Sequence, residues 1–348
     1  MWLRKFPLEL YCIVVPAVLF LLFIFFDGSK NTVPLSGDLI VLLSVFIASI
    51  ACYVVLKSLW LVAHKHSYNV VVKLVVSGIV LVGIVSLELV TLALSTLYLF
   101  AHQSVERVTE ISNWYMMLDK KIFGVYPAFF IHSISYPVFL EMLIVYSYHA
   151  AFLLLLGVLV FAFCMNKKVF RILILSIFIS HVLGYACWAL WPSIAPSEMY
   201  RLNILNAPIS SDIQASVENM KLSENLTQEI DKIDSFWIDP AGKLLSVSTN
   251  PSMHIVWAIL VLYAAMSLWR PSGYILVPWF ILNMLGTLFT IQHYGIDIIA
   301  GLVLGVATVY IVQKLLRYEE RIKPYNYLYI ADELKQDIKN IYNYILFK

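Results

Sequence analysis

Long apolar runs separated by short polar clusters make up most of this 348-residue chain. Runs long enough to cross about 30 Å of hydrocarbon as helices are Leu8–Phe26, Leu39–Leu61, Leu74–Phe100, Val138–Cys164, Val169–Trp191, His254–Trp269, Tyr274–Ile291 and Tyr294–Leu316, the sixth being rather short. The first ends at Phe26-Asp27-Gly28 without a small-x-small cleavage site and is expected to be retained rather than removed as a signal peptide. The pattern predicts an all-α, polytopic integral membrane protein with about eight transmembrane helices. Residues 1–100 form its N-terminal transmembrane helices, 101–137 an interfacial segment, 138–316 a core that includes a polar loop over 192–250, and 317–348 an amphipathic tail. Gln103–Leu118 and Tyr325–Leu346 mix apolar and charged positions as helices lying along a membrane do. Within the loop, Ala215–Ile233 has a helix-like pattern and is expected to contribute to a cap.

Composition excludes a soluble globule: 61% of residues are hydrophobic and 13% charged, and the mean hydropathy is +0.82. A net charge of +2 without a concentrated basic surface gives no footprint for nucleic acid. The placement of the charges is more informative. With a cytoplasmic N-terminus, one face collects Arg4 and Lys5, Lys57, Lys65 and Lys73, Lys167, Lys168 and Arg171, Arg270, and then Lys314, Arg317, Arg321 and Lys323. The opposite face is poorer in basic residues, so the positive-inside rule predicts both termini cytoplasmic. The loop from Pro192 to Pro251 and the turn before His293 then share the extracytoplasmic, periplasmic or lumenal face. Cys12, Cys52, Cys164 and Cys187 lie in or beside apolar segments without CxxC spacing, which suggests small core residues, not zinc ligands or disulfides. Asn225-Leu226-Thr227 is a glycosylation sequon of a kind that arises often by chance.

Two polar clusters stand at the starts of apolar helices. In Asn250-Pro251-Ser252-Met253-His254 an Asn cap and a Pro in the first turn leave free amides pointing outward, an arrangement that attracts phosphate. Ser252 adds a hydroxyl donor, and His254 is an imidazole placed to protonate a leaving oxygen. In Gln292-His293-Tyr294-Gly295-Ile296-Asp297, Asp297 follows His293 by one helical turn. A carboxylate there fixes the imidazole tautomer and leaves the other ring nitrogen ready to attack phosphorus. An ionised Asp297 within the hydrocarbon boundary is costly unless partnered, and His293 is that partner by spacing. A hydrogen-bonded interfacial histidine, or a structural His-Asp pair, is the plainer alternative.

Pro251-Ser252-Met253-His254 resembles the PSxH motif, and His293-x-x-x-Asp297 the HxxxD motif, of the type-2 phosphatidic acid phosphatase superfamily. Gly286-Thr287-Leu288-Phe289-Thr290-Ile291-Gln292-His293-Tyr294 resembles the ST-x-Y-x-x-HHY pattern of the branch containing inositol phosphorylceramide synthase, with Gly286 for Ser, Phe289 for Tyr and Gln292 for the first His. Asp119-Lys120-Lys121-Ile122-Phe123-Gly124-Val125-Tyr126-Pro127 and Trp191-Pro192-Ser193-Ile194-Ala195-Pro196 resemble that branch's D-x-x-x-FG-x-x-P and proline-rich segments.

The resemblance implies a six-helix core and a two-step displacement without a metal or other cofactor. His293 attacks phosphorus, His254 donates a proton to the leaving group, Asp297 orients His293, and Ser252 with backbone amides holds the phosphate. Water or an alcohol then resolves the phosphohistidine. The chain departs from the superfamily's phosphatases, which carry KxxxxxxRP and an Arg six residues before the nucleophile; Thr287 stands at the latter position, and no Lys stands upstream near Pro192. Fewer fixed cations suit a phosphodiester, with about one negative charge, better than a monoester with about −1.5 to −2. Arg201 is the candidate phosphate-binding cation, ahead of Lys243. The expected partners are a lipid phosphate donor and a lipid or alcohol acceptor, and the expected activity is headgroup phosphotransfer. A lipid phosphatase acting on phosphatidate or a polyprenyl phosphate, and a non-catalytic transporter or scaffold, are the alternatives. Arg270-Pro271-Ser272-Gly273-Tyr274 imitates an RP element but is read as a cytoplasmic turn. Glu88, His149, His181 and Asn283 are polar residues in apolar runs, expected to bond neighbouring helices.

Overall fold

Helix α1 (Val105–Phe123) begins where the Ser104 hydroxyl accepts a hydrogen bond from the Arg107 amide and ends at Gly124, which turns the chain with φ of 74°. It is amphipathic: Val108, Ser112, Tyr115, Met116 and Asp119 are buried while Trp114, Met117 and Ile122 are exposed. The computed structural model describes residues 104–237 and 249–322. The expected spans Leu8–Phe26, Leu39–Leu61 and Leu74–Phe100, with Glu88, Lys243 and the Tyr325–Leu346 tail, lie outside the described residues.

A short helix α2 (Pro127–Phe130) and a 3-10 turn (Ile131–Ser133) lead into α3 (Val138–Met165). Asn166 turns the chain directly into α4 (Lys167–Leu190), its side chain accepting from the Lys168 and Val169 amides. After a wide turn at Ser197–Arg201 come α5 (Ser211–Glu218) and α6 (Glu224–Trp237), then α7 (Met253–Leu268), α8 (Arg270–Phe289) and α9 (Gly295–Ile322). The long helices alternate in direction, so the starts of α3, α7 and α9 meet the ends of α4 and α8 at one end of the bundle. Arg270-Pro271-Ser272, the imitation RP element, is the first turn of α8 at the opposite end.

The expectation of about eight transmembrane helices with a six-helix core is corrected here. Among the described residues four helices are long and apolar enough to cross a membrane: Val138–Ala162, Lys168–Trp188, Arg270–Phe289 and Gly295–Glu319. The run at Met253–Leu268 is 16 residues long, which at about 1.5 Å per residue gives roughly 24 Å and falls short of a span. Its hydrophobicity has another cause. α7 packs against α3, α4, α8 and α9, and Ile255, Val256, Ala258, Leu260, Val261 and Ala264 are fully enclosed; a helix buried all round is apolar all round. Exposed Phe139, Leu153 and Phe161 of α3, Tyr274 and Ile275 of α8, and Val303 and Val306 of α9 cover the outside of the bundle, as lipid contact requires. The all-α architecture is as expected, and the protein is an integral membrane protein.

Glycines set the closest helix contacts. A Cβ at Gly301 of α9 would come within 2.7 Å of the Ser252 carbonyl oxygen, and one at Gly305 within 3.1 Å of Ile259 Cβ, so these two positions bring α9 against the first half of α7. At Gly286 of α8 the same test meets Tyr148 Cβ of α3 at 2.8 Å.

Candidate active site

His293 follows α8 through an unusual turn. Ile291 adopts φ of 55°, a conformation costing a β-branched residue about 1–2 kcal/mol, and its carbonyl accepts from the Ser197 amide. The next segment then starts α9, with Tyr294 at the boundary and Asp297 in the first turn. Asp297 Oδ2 accepts from the Tyr294 backbone N–H at 2.9 Å and lies 3.3 Å from His293 Nδ1. One carboxylate therefore caps the helix, in the manner of a capping box, and engages the imidazole. On the far side of the ring, His293 Nε2 lies 3.3 Å from Ser252 Oγ. The Ser252 amide bonds the Asp297 carbonyl at 3.2 Å, tying the start of α7 to the start of α9.

His254, in the first turn of α7, has its ring centre 5.8 Å from that of His293. Its ring stacks on Tyr148 of α3 at 4.0 Å and lies 5.2 Å from the Trp257 ring. The structure thus brings together four of the five residues singled out in the sequence: Ser252, His254, His293 and Asp297. The fifth, Arg201, is held by helix α6. Its guanidinium donates to Asp231 Oδ1 at 2.8 Å and to Asp234 Oδ2, both on α6, while its Nε donates to Ser197 Oγ at 2.9 Å. Asp234 also accepts from Ser197 Oγ at 2.7 Å and from the Gln292 amide at 2.6 Å. At Thr287 the hydroxyl is spent on the Met284 carbonyl within its own helix.

Other residues support the site through contacts made far along the chain. Asp119, buried at the end of α1, accepts from the amides of Gly295 at 2.6 Å and Ile296 at 2.8 Å and so caps the helix that carries Asp297. Burial pushes its carboxyl up to about 7 although the two amides pull the other way. A Cβ at Gly295 would come within 2.7 Å of Phe123, so this close docking of α1 requires a glycine. His132 lies against the Phe289 carbonyl at the end of α8, 3.0 Å from Nε2, and burial lowers its pKa to about 4. Glu198 accepts from the Ala195 amide, and burial raises its carboxyl to about 8. Asn283 bonds the Ser147 carbonyl of α3 at 3.1 Å, the interhelical role expected for it. The sequence contained one signal, the resemblance around Asp119, but not its partner 176 positions away.

An all-α membrane bundle with a buried Ser–His–Asp arrangement and a second histidine at one end defines a membrane-embedded protein whose site is suited to lipid-phosphate chemistry. The PAP2 superfamily model matches residues 113–311, more than half of the chain, and the chain belongs to the PAP2, or type-2 phosphatidic acid phosphatase, superfamily. Comparison with curated proteins and with solved structures returns no match.

Proposed function

We propose that this protein is a lipid phosphotransferase that moves a phospho-headgroup from a lipid donor to a lipid or alcohol acceptor through a phosphohistidine on His293. The observation that carries the proposal is the placement of the His293 imidazole between the Asp297 carboxylate and the Ser252 hydroxyl, each 3.3 Å away. With the Nδ1 proton held toward Asp297, Nε2 is left unprotonated with its lone pair facing the Ser252 hydroxyl, and it becomes available to phosphorus when that hydroxyl turns to a phosphate oxygen. In the first half-reaction the N–P bond forms as the bond to the departing alcohol breaks, and His254 gives that oxygen a proton. In the second, His254 takes the proton of the acceptor hydroxyl, whose oxygen attacks phosphorus and releases His293. Ser252 and the free amides at the start of α7 hold the phosphate oxygens.

Two observations favour a phosphodiester donor. Thr287 brings no charge beside the site, and Arg201 is already paired with two carboxylates. The charge distribution favours an extracytoplasmic site on the side of helices α5 and α6, accessible to lipid in the outer leaflet. The test uses purified protein and a labelled phosphodiester lipid, with and without a lipid alcohol. A new phospholipid that depends on the alcohol is expected, and free phosphate released regardless of acceptor would instead mean a phosphatase. His293→Ala is expected to abolish turnover with the unfolding temperature retained; residual turnover near wild type would eliminate it as nucleophile.

A further inference from the structure

Helix α6 ties an acidic side chain to the residue that precedes His293. Asp234, 2% exposed, bonds the side chain of Gln292, the immediate neighbour of His293. Asp231, one turn earlier, reaches Arg201 from the solvent side, with its own side chain 55% exposed. The sequence marks Arg201 as a phosphate-binding cation, but in the structure its positive charge faces two negative charges supplied by one helix.

A bare Arg201 would reward each added negative charge on a ligand. An Arg201 paired with Asp231 and Asp234 leaves a net negative set tied through Gln292 to the segment that carries His293, and the buried side of that set amplifies the penalty for a second ligand charge. Phosphodiesters carry about −1 and monoesters about −1.5 to −2. We propose that Asp231 and Asp234 are specificity-determining residues: by neutralising Arg201 they make the site discriminate against phosphomonoesters in favour of singly charged phosphodiesters. This rests on the phosphotransferase reading of the same site and names the residues that set its substrate class. The plainer alternative is a clamp that only fastens the cap to the loop before His293. A clamp and a charge filter respond differently to ligand charge.

The test is binding of two small anions, inorganic phosphate and dimethyl phosphate, to the purified full chain in detergent near pH 7.5, measured by calorimetry. Asp234→Asn keeps the shape of the side chain and removes its charge. Because one removed charge acts on each anion in proportion to that anion's own charge, it is expected to tighten inorganic phosphate about tenfold and dimethyl phosphate only about three- to fourfold, so the ratio of the two affinities shifts by about threefold. Asp234→Glu should keep the wild-type ratio of the two affinities. Asp231→Asn, at an exposed position with little effect on folding, should shift the ratio in the same direction by a smaller factor, and it decides the matter if Asp234→Asn does not fold. An unchanged ratio in the Asn variants, or equal shifts for both anions as a loosened cap would give, overturns the proposal. The transfer assay on wild type is independent of this. Transfer with an unmoved ratio refutes the charge filter alone, whereas absence of alcohol-dependent transfer refutes the phosphotransferase reading whatever the ratio does.

Discussion

Asp297 has two jobs within one side chain, and they can be separated. Its Oδ2 accepts from the Tyr294 amide and faces His293 Nδ1. In Asp297→Asn the amide oxygen can still accept from Tyr294, so the start of α9 is kept. What is lost is the charge that, in the proposed mechanism, favours the reactive tautomer and stabilises a protonated imidazole. Turnover is expected to fall about a hundred- to ten-thousand-fold with little change in donor KM, measured with labelled donor alongside the unfolding temperature. A fall in stability as large as that of Asp297→Ala would show that capping, not the imidazole, is its main role. The histidines, Ser252 and Asp297 were legible in sequence because they belong to two short motifs with helical spacing. Tyr148 and Asp234 were not, and Asp119 was marked by its motif but not by its contact, because their partners stand far away in the chain and no local pattern announces a contact made only by folding.

At the scale of elements, apolar runs located the helices to within a few residues: Val138–Cys164 became Val138–Met165, and Val169–Trp191 became Lys167–Leu190. Where the run alone misled, packing was the reason. The 16 residues of α7 are apolar because four helices surround them, not because they meet lipid. The helix-like pattern at Ala215–Ile233 resolved into α5 and α6 with a break between Asn219 and Ser223, and Ser223 bonds Glu141 at the head of α3, fixing the cap to the bundle. The end of α8 depends in turn on His132, which meets the Phe289 carbonyl three residues before Gln292. Its folded-state pKa of about 4 lies below the unfolded 6.5, so the unfolded chain takes up a proton first as pH falls. His132 thus contributes stability above 6.5 that is lost between 6.5 and 4, about 2 kcal/mol of it by pH 5. The buried Asp119 and Glu198 have the opposite slope, since their raised values make stability fall as pH rises. The measurement is therefore a difference: denaturant unfolding of wild type against His132→Asn at pH 7.5 and 5. The variant should lose less stability on acidification, and parallel losses would remove His132 from the pH response.

For the whole molecule, the arrangement of the helix ends turns a charge count into a geometric claim. The starts of α7 and α9, the end of α8, and helices α5 and α6 gather at one end, while Arg171 and Glu319 pair at the other at 2.9 Å, where Arg270, Arg317 and Arg321 also lie. The positive-inside rule assigns the end that gathers Arg and Lys to the cytoplasmic face; the expectation is therefore that α5 and α6 face away from the cytoplasm, which would place the histidine pair near the outer interface, within reach of a lipid headgroup. Two exposed positions report on this directly: Gln228 on the outside of α6 and Arg321 in the last turn of α9. Gln228→Cys is expected to react with a membrane-impermeant maleimide in intact cells, and Arg321→Cys only after the membrane is opened, with the wild-type protein as the control for its native cysteines. The reverse pattern would put the site in contact with the cytoplasmic leaflet, and donor and acceptor lipids would then have to be sought there.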